Sequence, residues 1–254
     1  KQREAVMTRK ITILIFLSIF FLVWILPVSG AQSVDNTIYA RLLAAHVTDS
    51  GNVDYAGFKK DEAMLDQYLE ILSRTMVADL SRDEQFAFYV NAYNAFTIKL
   101  ILTKYPGIKS IKETGGLFST PWKKEFIRLG GEKVSLDYIE HEVLRPVFKD
   151  ARVHFAVNCA SKSCPPLLNQ PFEPDGLDRQ LERVTRDFVN GGGVRIKDGS
   201  VYLSKIFDWF KGDFNNDPLT FVTPYASGSL KEKLTDMGPD VSVKYQDYDW
   251  SLNE

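Results

Sequence analysis

Ser81-Arg82-Asp83-Glu84-Gln85-Phe86-Ala87-Phe88-Tyr89-Val90-Asn91-Ala92-Tyr93-Asn94-Ala95-Phe96-Thr97-Ile98-Lys99-Leu100-Ile101-Leu102-Thr103 is the stretch on which the fold turns. A serine with a glutamate three residues on is a capping box: hydroxyl and carboxylate each satisfy a free backbone N–H at a helix start. The helix it opens is predicted over 85–103 and closes before Pro106-Gly107. Phe86, Phe88, Val90, Ala92, Phe96, Ile98, Ile101 and Leu102 leave it apolar nearly all round. A helix of that kind is enclosed by protein rather than lying on a surface. The rest of the chain should therefore be built around it.

Working outward, 35–47 places Ile38, Leu42, Leu43 and Val47 at helical spacing, and Gly51-Asn52 ends that segment. A second helix is predicted over 62–72, with Leu65, Tyr68, Leu69 and Leu72 on one face. Beyond the central helix the character changes. Segments 125–129 and 133–135 flank Gly130-Gly131 as a hairpin, and Ser135 caps a helix over 136–147. Residues 152–158 alternate and read as a strand, and 175–189 reads as a helix stopped by Gly191-Gly192-Gly193. A second hairpin, 194–196 and 201–203, turns at Lys197-Asp198-Gly199-Ser200. Short helices are predicted over 205–212, 217–224 and 229–236, and a last strand over 241–245. Helices first and hairpins mostly later predict an α+β domain, not an alternating βαβ sheet. The expected architecture is a central buried helix with an antiparallel or mixed sheet.

Composition narrows the classes. At 254 residues, 44% hydrophobic and 25% charged, the chain is not disordered, collagen-like or a coiled coil. A net charge of −2 argues against nucleic-acid binding. The N-terminus departs from these averages. Arg9 and Lys10 precede an apolar run over 11–26, and small residues at Ser29 and Ala31 fit a signal-peptidase site. Segment 1–31 is expected to be a signal peptide or an uncleaved anchor, although a membrane span needs about 20 apolar residues. The remaining 223 residues, 32–254, then form a single globular domain of net charge −5. The expected location is extracytoplasmic, periplasmic or secreted, with membrane contact only through an uncleaved N-terminal segment. A mildly acidic domain has no electrostatic pull toward nucleic acid or anionic lipid.

Chemistry concentrates in Val153-His154-Phe155-Ala156-Val157-Asn158-Cys159-Ala160-Ser161-Lys162-Ser163-Cys164-Pro165-Pro166. On a strand, His154, Ala156 and Asn158 would share one face, and both cysteines follow closely. A thiolate needs a base or cation near sulfur. Three readings stay open for Cys159 and Cys164: a small-loop disulfide, inert buried thiols, or a reactive thiol. Zinc is poorly served, because no second Cys/His pair stands at finger spacing. No phosphate-binding loop, Gly-x-Ser-x-Gly or His-Glu-x-x-His occurs, so neither metal nor cofactor is expected. Within the buried helix, Asn91 and Asn94 share a face around Tyr93, and Glu84 lies on that face too. The two amides are either a hydrogen-bonded clamp on neighbouring loops or the polar floor of a site, and Glu84 either caps the helix or joins that face. His141, between Glu140 and Glu142, is either structural or a base, while His46 at a helix end carries little functional weight. Phe207, Trp209, Phe210, Phe214 and Trp250 form either core or a groove lining.

Phe88-Tyr89-Val90-Asn91-Ala92-Tyr93-Asn94-Ala95, Ile139-Glu140-His141 with Leu144-Arg145, His154-Phe155-Ala156 with Asn158-Cys159 and Ser163-Cys164-Pro165, and the C-terminal Tyr248-Asp249-Trp250-Ser251-Leu252-Asn253 resemble the domain-of-unknown-function family numbered 547. The resemblance implies an exported, single-domain bacterial protein with a clustered polar site. A weaker likeness is to papain- and transglutaminase-like folds, in which a central helix headed by the nucleophilic cysteine packs on a sheet that supplies a histidine. Here that helix offers Asn91 and Asn94 instead.

The functional expectation is a thiol-dependent hydrolase or acyl transferase acting on peptide or amide bonds. Cys164 or Cys159 would be the nucleophile and His154 or His141 the base. Asn91, Asn94 or Asn158 would orient the base or hold an oxyanion, with Tyr93, Glu84 and Trp209 contributing to binding. The alternative is a non-catalytic extracytoplasmic domain that binds a small molecule, peptide or protein and carries a Cys159–Cys164 disulfide.

Overall fold

Four helices open the fold: α1 (Thr37–His46), α2 (Tyr55–Lys60), α3 (Glu62–Arg74) and α4 (Arg82–Leu102). The structure is a computed structural model and describes residues 34–116, 119–238 and 240–254. The expected signal or anchor lies outside these residues. α4 begins at the capping box: Ser81 Oγ accepts the Glu84 N–H, and Glu84 Oε2 accepts the Ser81 N–H at 2.7 Å. From Phe86 to Leu102 only Tyr89 and Lys99 are less than fully buried. Lys99 is tolerated there because α3 meets it with Glu62 at 2.8 Å and Asp66 at 2.5 Å. The short helix α2 has no counterpart in the hydrophobic periodicity, because its Gly57 is buried against the His46 ring rather than patterned for packing.

The first hairpin pairs β1 (Ile127–Leu129) with β2 (Glu132–Val134). Gly130 and Gly131 both have positive φ, 58° and 84°, as a two-residue turn matched to strand twist requires. A helix follows, α5 (Leu136–Tyr138), started by Ser135 Oγ accepting the Tyr138 N–H. It continues as a wide π-helical segment, Ile139–Phe148, that contains Pro146.

Segment 152–158 is not a strand. It forms the helical turn α6 (Val153–Ala156). Asp150 is the reason. Its carboxylate accepts the Arg152 N–H at 3.0 Å and its carbonyl the Val153 N–H at 3.1 Å, which folds the chain back before any strand can extend. Alternation over so few residues fits either conformation. The turn puts His154 and Val157, rather than His154, Ala156 and Asn158, toward one side.

α7 (Leu177–Phe188) leads to β3 (Val194–Lys197) and β4 (Ser200–Leu203), then α8 (Ile206–Trp209), α9 (Pro218–Val222), α10 (Gly228–Met237) and β5 (Val243–Tyr245). β4 is central, antiparallel to β3 and parallel to β5, so this second sheet is mixed while the first is an antiparallel pair. The fold is α+β, with one core running from α1 to the C-terminal Leu252. The sheets are small, and neither supplies a histidine; that feature of the papain- and transglutaminase-like layout is not reproduced. Among the described residues no helix is long and apolar enough to cross a membrane.

Candidate functional site

The polar residues of α4 divide at Tyr93. Asn91 Nδ2 donates to the Phe172 carbonyl and Asn91 Oδ1 accepts the Phe172 N–H, each at 2.9 Å. Asn94 Nδ2 donates to the Ala156 carbonyl at 2.9 Å, and its Oδ1 accepts the Asn158 N–H at 2.8 Å. Both amides are clamps on backbone, and neither lines the cavity described below. Glu84 is the capping carboxylate and stands apart from the site. Tyr93 points elsewhere, into a cavity of about 320 Å³. Burial pushes its phenol well above the usual range, with the neighbouring Glu140 adding to the rise, so it stays a donor.

Both cysteines reach the same cavity, and both are free thiols. Asn158 shapes the turn that carries them. Its Nδ2 donates to the Pro165 carbonyl at 2.8 Å and its Oδ1 accepts the Ala160 N–H at 2.8 Å. Ala160 is held at φ 60°, a left-handed conformation that costs a non-glycine residue about 1–2 kcal/mol. Backbone strain of that kind gathers at functional sites. The turn brings Cys159 Sγ within 3.1 Å of Ser161 Oγ and 3.2 Å of the Tyr248 hydroxyl. Ser161 donates to the Tyr248 oxygen at 3.1 Å, which leaves the tyrosine hydrogen for the sulfur. Burial pushes the Cys159 thiol up, but its polar contacts with Cys164, Ser161 and the Tyr248 hydroxyl outweigh it, and the thiol lies below its ordinary value. Burial and the neighbouring Cys159 push Cys164 well up. The two titrate as a pair in which Cys159 ionises first.

Two histidines also line the cavity. His154 is buried and stacks on Phe210 with ring centroids 4.0 Å apart. Its Nε2–H donates to Asp213 Oδ2 at 2.7 Å, and its Nδ1 stands 4.0 Å from Glu140 Oε1. Burial lowers the imidazole more than Asp213 raises it, so the ring is neutral near pH 7 with a lone pair on Nδ1. Arg145 holds Asp213 with Nε at 2.6 Å and Nη2 at 3.1 Å. The hydrogen bond to His154, then Arg145, keeps that carboxyl far below the usual range. Arg145 also donates Nη1–H to His141 Nδ1 at 2.6 Å, which puts the His141 ring proton on Nε2, 3.6 Å from Asp137. Burial raises the Glu140 carboxyl, against the pull of the Arg145 charge. Thiols, the Glu140 carboxyl and two imidazoles thus line one cavity, and Asp213 and Arg145 hold the imidazoles from behind it.

The cavity therefore unites Cys159, Cys164, His154, His141, Tyr93 and Trp209 from the sequence-based set. It does not include Asn91, Asn94, Asn158 or Glu84. Sequence reasoning missed Glu140, Arg145, Asp213, Ser161 and Tyr248 as site residues. Glu140 stands beside His141, and Arg145 one helical turn on, so the helix could have been read as a polar unit. Asp213 and Tyr248 lie 59 and 89 residues from the groups they touch; Tyr248 opens the quoted C-terminal motif, but no local pattern shows which group either one meets. Trp209, Tyr248 and Trp250 close the rim as one aromatic cluster, with Tyr248–Trp250 centroids 4.6 Å apart. Among the described residues no cluster of three or more His, Cys, Asp or Glu side chains is arranged to hold a metal ion.

Residues 77–189 match the family model described as "Protein of unknown function, DUF547". The matched segment contains α4, the wide helix with Glu140, His141 and Arg145, His154 and both cysteines. Asp213, Trp209, Tyr248 and Trp250 come from beyond it, so the cavity joins the matched segment to later parts of the chain. No curated protein and no solved structure matches the chain.

Proposed function

We propose that the protein is a thiol-dependent hydrolase or acyl transferase for peptide or amide bonds, with Cys159 as nucleophile. One observation supports the reading: Cys159 Sγ sits 3.2 Å from a tyrosine hydroxyl in a cavity that His154, with Nδ1 unprotonated, also lines. The Cys159 thiol gives its proton to the Glu140–His154 pair, and the sulfur forms a bond to the acyl carbon. That pair returns the proton to the leaving amine as the C–N bond breaks. Water, or a second amine, then takes the acyl group from sulfur. Asp213, fixed by Arg145, holds the imidazole with Nδ1 inward, and the Tyr248 hydroxyl is a donor for developing negative charge. The aromatic rim accepts the apolar part of a small-molecule or peptide substrate. The apolar run behind Arg9 and Lys10 supports action outside the cytoplasm.

Iodoacetamide tests the assignment. With reduced protein at neutral pH, one fast adduct is expected at Cys159 and none of comparable rate at Cys164. Cys159→Ser should abolish it, and His154→Ala should slow it about tenfold, or 1.4 kcal/mol of barrier. Slow, equal alkylation of both thiols would overturn the nucleophile and leave a cavity that only binds.

A further inference from the structure

Cys159 and Cys164 are a pair as well as part of a wall. The Cys159 N–H donates to Cys164 Sγ at 2.9 Å, so the second sulfur lies against the backbone of the residue that bears the first. The turn between them is tight: Ala160 has positive φ, and the Ser161 carbonyl accepts the Cys164 N–H at 3.0 Å. The surroundings of the two sulfurs differ in sense. Cys159 Sγ receives the Tyr248 hydroxyl, whereas the Cys164 S–H is directed at the Val157 carbonyl, 3.9 Å away. The first environment favours a thiolate and the second a thiol, the division between an attacking and a resolving cysteine. Both line one cavity, so a reagent that reaches Cys159 reaches its partner.

We infer that Cys159 and Cys164 are a reversible oxidation site, closed to a disulfide by a low-molecular-weight disulfide of the glutathione class. The inference rests on Cys159 as nucleophile and supplies that site with regulation. The Cys159 thiolate attacks one sulfur of oxidised glutathione; that S–S bond breaks, and glutathione leaves as a thiolate that takes a proton from water. Cys164 then loses its proton to solvent and attacks the Cys159 sulfur. The protein disulfide forms, and the second glutathione leaves as thiol once protonated. Two protein thiols are oxidised and one glutathione disulfide is reduced, so the balance closes. In the oxidised protein no thiolate remains to attack an acyl carbon.

The full-length reduced protein, equilibrated with mixtures of reduced and oxidised glutathione, provides the test. Intact mass under non-reducing conditions should fall by two hydrogens, with both maleimide adducts lost and then restored by dithiothreitol. Cys164→Ser should instead retain one glutathione at Cys159, and Cys159→Ser should lack that fast capture. A wild-type protein that retains bound glutathione, or keeps both thiols open to maleimide in every mixture, would overturn the switch. Mass reports the switch and iodoacetamide rate reports the nucleophile, so either can fail alone. Fast alkylation without disulfide closure removes only the switch; closure with slow alkylation removes the nucleophile.

Discussion

Two groups of polar side chains flank the central helix, and their burial is nearly the same. Asn91 and Asn94 are 2% and 3% exposed; His154 and Glu140 are 3% and 8%. What separates them is where their hydrogens and lone pairs go. The amides bond in both directions to backbone of Phe172, Ala156 and Asn158, so both polar atoms of each are engaged away from the cavity. His154 lines the cavity, uses one nitrogen on Asp213 and leaves the other without a hydrogen bond, 4.0 Å from Glu140 with its raised carboxyl. Burial of a polar group therefore says only that it needs partners; an unspent atom facing a cavity is what signals chemistry.

That contrast can be broken by substitution. Asn91→Leu removes both partners of the Phe172 peptide groups and should cost about 2–6 kcal/mol, from about 1–3 kcal/mol per buried group left unpaired. A urea titration measures it, and the Cys159 alkylation rate of the folded variant should stay within twofold of the wild type. A clear fall in that rate would place the clamp inside the chemistry.

Glu140→Gln sharpens the other side. A carboxyl raised above its ordinary value of 4.5 in the folded state binds its proton more tightly there than in the unfolded chain. Its contribution is fully present below 4.5 and is lost as pH rises through the raised value. Glutamine stays neutral throughout. The wild type should thus lose ground to the variant as pH rises from below 4.5, read from urea midpoints across pH, and parallel curves would contradict the assignment. The smallest effect belongs to Ser81→Ala, which removes the helix cap remote from the cavity. It should cost about 1 kcal/mol by the same titration and leave thiol reactivity alone.

The central helix was legible because capping chemistry and an all-round apolar surface are local properties, and both hairpins because their turns are local too. The turn at 153–156 was not, since V-H-F-A alternation carries no length to choose between periods, and Asp150 decided it from outside the segment. The cysteines, His154, His141 and Tyr93 were found as residue types, but their arrangement was not. The alternative uses of Asn91 and Asn94 could be stated from sequence, whereas the choice between them needed Phe172 and Ala156, 81 and 62 residues away. The same distance in sequence hid Asp213 and Tyr248.

The segment from Tyr248 to Asn253 also holds the cysteine loop from outside. The Ser251 and Asp249 carbonyls accept the Lys162 and Ser163 N–H groups, and Asn253 accepts the Tyr55 hydroxyl at 2.7 Å. During synthesis on the ribosome, both cysteines emerge long before this segment exists. Tyr248, which stabilises the Cys159 sulfur, arrives 89 residues later. The nascent chain thus carries two unshielded sulfurs five residues apart with no finished cavity, and the donor that tunes Cys159 is added only once Tyr248 is translated.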